Sequence, residues 1–128
     1  MNESKPDKSK GAKDNPVEKV NGSEIFVRLS HWNNDKRVDK VNKRLLPGTF
    51  TTTLKDYKEC NKTRDDPIER YALPTNDPIL WAFHIQPKNT DTLQSGIVQP
   101  AFGRRGGGEE AYFDKGTSYG TFISQTPY

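Results

Sequence analysis

Residues 98–119 read VQPAFGRRGGGEEAYFDKGTSY, in which three consecutive glycines, Gly106 to Gly108, run straight into two glutamates and the segment EEAYF. A phosphate-binding glycine loop opens a helix, whose first amides help to cradle the anion. Here the residues after the glycines alternate with a period of two, so the triplet leads into a strand. The long βαβ units of nucleotide-binding folds are absent, which leaves a domain of short strands. Glycine also tolerates positive φ and lets a ligand or another backbone approach closely. The segment therefore delivers a carboxylate to a strand mouth. By alternation Glu109, Ala111 and Phe113 share one face, and Glu110 and Tyr112 the other. The plainer alternative is a surface hairpin with charged flanks.

Working outward, PILWAFHIQP (78–87) is the clearest core strand, with Trp81, Phe83 and Ile85 on one face. SEIFVRL (23–29) alternates Ile25, Val27 and Leu29 against Phe26 and Arg28. GTFTTTL (48–54), SGIVQP (95–100) and TSYGTFISQ (117–125) read as further strands. In DKRVDKVNKRLLPG (35–48), Val38, Val41 and Leu45 stand at helical spacing, with Asp35 as a cap and Pro47-Gly48 as a stop. That spacing predicts a helix whose other face carries Lys36, Arg37, Lys40, Lys43 and Arg44. It is either a solvated face or a surface for an acidic partner or nucleic acid. DYKECNKTRDDPIERYALP (56–74) begins as a short helix or loop. One helix among many short strands gives an α+β, β-rich class.

The chain has 128 residues, 29% of them charged and 30% hydrophobic, with a net charge of +3. The polar excess is concentrated in Met1 to Gly22, which has no aromatic residue and five lysines against four acids. Such a segment buries too little apolar surface to offset its ordering entropy. It is expected to be a flexible tail or linker (1–22), with the folded domain over 23–128. It has no apolar run, so neither a signal peptide nor a membrane anchor is expected. Cys60 is the only cysteine, which excludes an intrachain disulfide and a cysteine zinc cluster. His31 and His84 lack metal-ligand spacing, and no metal site is expected.

Three places can carry chemistry. Glu109 and Glu110 follow the glycines. Arg28 stands in an otherwise apolar strand, where a guanidinium either pairs with a phosphate or carboxylate or snorkels from an edge. Thr51, Thr52 and Thr53 place hydroxyls along a strand, which is good β-propensity or a means to orient a carboxylate.

In their order along the chain these elements resemble the ADP-ribosyltransferase superfamily, R-S-E branch. IFVRLS is similar to its arginine strand, with Arg28 as the match. GTFTTTL resembles its S-T-S strand, with Thr51, Thr52 and Thr53 in those places. GGGEEAYFDKGTSY resembles its E-x-E turn and strand, with Glu110 as the second acid; Gly108, or Glu109 without a spacer, stands at the first. ERYALP and the glycine turn are also similar to the NAD-glycohydrolase toxins related to tuberculosis necrotizing toxin. There Arg70, Leu73 and Pro74 match, and Glu110 stands where those proteins carry a glutamine.

The resemblance implies an NAD-binding fold and a bacterial polymorphic toxin, secreted or delivered into a target-cell cytoplasm and paired with an immunity protein. NAD is the implied substrate, and the acceptor is water, a protein or a nucleic acid. Glu110 is the implied catalytic carboxylate, with Glu109 and Arg28 assisting. Arg28 or Arg70 holds the pyrophosphate, and Thr51, Thr52, Thr53, Tyr71 and Phe102 complete the dinucleotide site, with Trp81 a further candidate for stacking on the nicotinamide. Two rival readings stand beside it. One is a small basic ribonuclease using His31 or His84. The other is a binding module in which the glycine loop is only a connector.

Overall fold

The computed structural model describes Asp7 and residues 9–128. In chain order the strands are β1 (Glu18–Lys19), β2 (Phe26–Ser30), β3 (Val38–Asp39), β4 (Arg44–Leu45), β5 (Thr49–Thr53), β6 (Trp81–Ile85), β7 (Thr92–Ile97), β8 (Glu109–Phe113) and β9 (Phe122–Pro127). Two short helices, α1 (Leu54–Thr63) and α2 (Pro67–Arg70), lie between β5 and β6. With 33% of residues in strands, this is a small mixed domain, mostly β-sheet and compatible with the expected α+β class. Seven strands form one sheet in the order β1-β7-β8-β5-β2-β6-β9, and all its neighbours are antiparallel.

The apolar strand WAFHI becomes β6, paired along its whole length with β2 on one side and β9 on the other. Phe83 and Ile85 join Phe26, Ala111 and Phe113 in the main core, where Phe26 meets Phe113 edge-on at 5.3 Å. A smaller cluster of Cys60, Tyr71, Ala72 and Val98 packs with Leu29 and Leu73. Both helices start on side-chain caps. The Thr53 hydroxyl accepts from the Asp56 N–H, and the Asp66 carboxylate accepts from the Ile68 N–H with Pro67 in the first turn. No described helix is long and apolar enough to cross a membrane.

The predicted helix over 35–48 is a β-hairpin, β3 paired with β4. Val38 sits directly opposite Leu45, and both enter the main core, whereas Val41 is 90% exposed at the turn. Asp39 accepts from the Val41 and Asn42 N–H groups, and Lys43 takes φ +52, which no α-helix contains. The Leu45 N–H goes to the Thr117 hydroxyl, 72 residues away. Helical spacing of Val38 and Leu45 was a coincidence of the hairpin's length.

The expected linker over 1–22 also differs in the structure. Residues 1–6 and 8 lie outside the described residues. Further on, Ala12–Asp14 forms one 3-10 turn, β1 pairs with β7, and Ala12, Asn15 and Val20 are buried. The segment carries little apolar surface, and it is held instead by hydrogen bonds. Asn15 Nδ2 donates to the Ser95 carbonyl at 2.7 Å, and Gln94 Nε2 donates to the Lys13 and Asn15 carbonyls.

Candidate active site

The cleft arises from a split in the sheet. β2 and β5 pair only through Phe26–Thr53 and Val27–Thr52, then part, while β2 continues along β6 to Ser30. The register places Val27, Thr52 and Glu110 on one face of three successive strands, since Thr52 pairs with Val27 and Thr51 with Ala111. Together with Arg28, just beyond the split, these residues line a cleft of about 640 Å³. That volume falls within the range of small-molecule sites. Its walls are mostly apolar, and Trp32, Phe50, Tyr71 and Phe102 contribute aromatic rings.

Arg28 is held from two sides. Its Nε meets Asp35 Oδ2 at 3.3 Å, and Nη1 donates to the Phe50 carbonyl at 3.1 Å. Asp35 is itself buried and accepts from the Arg37 N–H. The guanidinium is thus fixed at the cleft, and its Nη2 has no partner among the described residues.

The three threonines divide the work. Thr51 donates to the Ala111 carbonyl and braces β8. Thr53 caps α1 and donates to Glu109 Oε1 at 2.7 Å. Thr52 is 3% exposed and lines the cleft, where its hydroxyl lies beside that of Tyr71.

The two glutamates separate as alternation predicts. Glu110 lines the cleft, with Oε2 accepting from the Ala12 N–H at 2.8 Å. Glu109 lies on the other face, tied to Thr53, and does not line the cleft.

Arg70 is not brought to the cleft. Nε and Nη2 grip Asp56 at 3.0 and 2.8 Å, and Nη1 meets Asp65 at 3.0 Å. Its fork is occupied in tying α2 to α1. Tyr71, the next residue, does line the cleft and donates its hydroxyl to Asp56 at 2.7 Å. Burial pushes the Tyr71 hydroxyl well above the ordinary tyrosine range and the bond to Asp56 adds to it, so the group stays a neutral donor. Phe102 sits at the rim, 64% exposed, with φ +55. Ala72, also lining the cleft, has φ +45, so two non-glycine residues hold left-handed backbone at this one place. Trp81 packs against the main core instead.

The histidines do not meet. His31 lines the cleft and its Nδ1 lies 2.7 Å from the Pro78 carbonyl. A carbonyl only accepts, so Nδ1 carries the proton in this contact. His84 lies on β6 against Tyr57, and burial lowers its pKa. Two contributors escaped sequence reasoning, Asp35 and the Ala12 amide. Neither has a local signature, because each acts through a partner that only folding supplies.

Fold and site together define a small mixed domain, mostly β-sheet with two short helices, with a mostly apolar cleft carrying an arginine, a hydroxyl and a carboxylate. In comparisons with known proteins, no family model, curated protein or solved structure matches the chain.

Proposed function

We propose that the cleft binds NAD and that Glu110 promotes cleavage of the nicotinamide–ribose bond, as in an NAD-consuming toxin domain. The observation that carries this reading is convergence. Arg28, Thr51, Thr52, Tyr71, Phe102 and Glu110 come from separate parts of the chain and line one cleft. Breaking that bond develops oxocarbenium character on the ribose, as in glycoside cleavage. A fixed carboxylate stabilises the positive charge, and apolar walls strengthen its effect by excluding water. The open Nη2 of Arg28 suits a pyrophosphate oxygen, and Thr52 brings a hydroxyl to the cleft wall. The aromatic walls suit a planar base.

Attack by water gives hydrolysis, and attack by a side chain gives ADP-ribosylation. Transfer to arginine is associated with the first acid of an E-x-E turn in the families this chain resembles. Glu109 faces away from the cleft and is held by Thr53, which favours water. Delivery into a target cell and neutralisation by an immunity protein belong to the same proposal.

The test is release of free nicotinamide from NAD. Glu110→Ala should abolish release while costing only the stranded Ala12 amide in stability, about 1–3 kcal/mol. Glu110→Gln should lower kcat by roughly 10²- to 10³-fold, as for loss of one preorganised electrostatic group. Arg28→Ala should act chiefly on KM, and Arg28→Lys should recover only part, because an ammonium cannot hold Asp35 and the Phe50 carbonyl and still face the ligand. Wild-type turnover in Glu110→Ala overturns the assignment.

A further inference from the structure

We propose that the backbone amide of Ala12 positions the Glu110 carboxylate, which makes residues 9–15 part of the catalytic unit. The inference rests on the reading of Glu110 given above.

Glu110 pairs with Gly96 on β7, so the two residues share a face. A Cβ on Gly96 would lie 2.4 Å from the Lys10 carbonyl oxygen and 2.8 Å from the Ala12 nitrogen. Only glycine lets the N-terminal segment lie directly on the sheet beside the carboxylate. The segment is fastened on both sides of that crossing. The Ile97 N–H donates to the Lys10 carbonyl at 2.9 Å, and Asn15 is held by Ser95. Between them the Lys13 ammonium sits 4.8 Å from the centre of the Tyr112 ring and 5.6 Å from that of Phe50.

Ala12 opens a single 3-10 turn, so its N–H has no acceptor within that turn. The residue is 0% exposed, which denies the amide water, and Glu110 Oε2 satisfies it at 2.8 Å. One carboxylate oxygen is thereby committed, and the rotation that would swing the group away from the cleft is opposed. The other oxygen has no partner among the described residues. A carboxylate held in this way presents its charge to a ribose without reorganising.

Proline at position 12 replaces this N–H with a ring carbon, which cannot donate and also pushes Glu110 Oε2 out of its 2.8 Å seat. The preceding Gly11 has φ −67 and ψ 162, the region favoured before proline, and the first position of a helical turn accepts it. Ala12→Pro should lower kcat for nicotinamide release about 10- to 100-fold, the span of one hydrogen bond to a charged group. KM should stay near wild type, with the melting temperature lowered by crowding at this buried position. Ala12→Gly keeps the N–H and should retain most of the turnover that proline removes.

A second arm is independent of turnover and of the fate of the proline variant. The Ala12 amide should be protected from hydrogen exchange in the wild type and exchange about tenfold faster in Glu110→Ala, the equivalent of one lost hydrogen bond. Wild-type kcat in a folded Ala12→Pro, or Ala12 exchange unmoved by Glu110→Ala, overturns the proposal. A wild-type protein that releases no nicotinamide overturns the assignment of Glu110 to catalysis instead, and exchange at Ala12 then judges the contact by itself.

Discussion

The three glycines of the opening stretch are there for different reasons. Gly106 and Gly107 have φ +71 and +101, backbone that side chains rarely adopt. Gly108 has an ordinary φ but lies under the Tyr71 ring, where a Cβ would fall 2.5 Å from a ring carbon. Gly108→Ala should therefore act by crowding and destabilise by about 1–3 kcal/mol. It should also raise KM for NAD, because Tyr71 must leave its place in the cleft wall. Chemical denaturation and NAD titration of the variant check both, and an unchanged KM would separate Tyr71 from the ligand. Thr52 offers the opposite experiment. Its hydroxyl is buried beside that of Tyr71, so Thr52→Val should change stability by no more than about 1 kcal/mol. NAD affinity should fall about tenfold, the worth of one hydrogen bond near its upper range. Equal affinity in wild type and Thr52→Val would make the hydroxyl a packing detail.

Between elements, the clamp joining α1 to α2 dominates. Arg70 bridges Asp56 and Asp65, Arg105 adds a contact to Asp65 at 2.7 Å, and Tyr71 donates to Asp56. Removing one partner of a largely buried pair costs far more than the pair itself contributes. Asp56→Ala should thus destabilise the domain by about 3 kcal/mol, measured by urea unfolding. The pH dependence follows from the carboxylates. Burial pushes the Asp56 carboxyl up, but hydrogen bonds from Arg70 and Tyr71 outweigh it and hold it below the usual range. The bond from Arg105, with help from Arg70, does the same for half-buried Asp65. Groups with depressed folded values stabilise above their unfolded values, about 3.9 for aspartate, and lose that contribution as pH falls through the folded ones. The gap in melting temperature between wild type and Asp56→Asn should be widest near neutrality and narrow below about pH 4. A gap that stays constant to pH 2 would show that the clamp does not depend on the Asp56 charge.

Over the whole molecule, the N-terminal segment and the sheet behave as one unit. Asn15 links them: its Nδ2 reaches the Ser95 and Asp7 carbonyls, and its Oδ1 accepts from the Asp7 N–H. Asn15→Ala should cost about 1–3 kcal/mol, the penalty for stranding buried polar groups. It should also speed amide exchange at Val20 and Ile97, which flank the crossing. Exchange at Val20 as fast as in an unstructured peptide, already in the wild type, would return the segment to the status of a linker.

Sequence alone was enough to place β2, β5, β6, β8 and β9 and to predict which face of β8 each glutamate takes. Period-two alternation and glycine or proline stops are local properties, written in five to seven consecutive residues. It also nominated Arg28, Thr52, Tyr71, Phe102 and Glu110, which line one cleft. Tertiary structure alone decided the rest. Val38 and Leu45 form a hairpin because both reach the main core and Thr117 accepts a bond from that strand. Arg70 is spent on Asp56 and Asp65, although ERYALP by itself left it free for a phosphate. Residues 9–22 are too polar to fold by their own burial, yet they fold because acceptors and donors some 80 residues away meet the Asn15 side chain and backbone. The contact from Ala12 to Glu110 spans 98 residues. Such pairings carry no periodicity, since the energy of a hydrogen bond depends on which groups the packed chain brings within 3 Å and not on their distance along it.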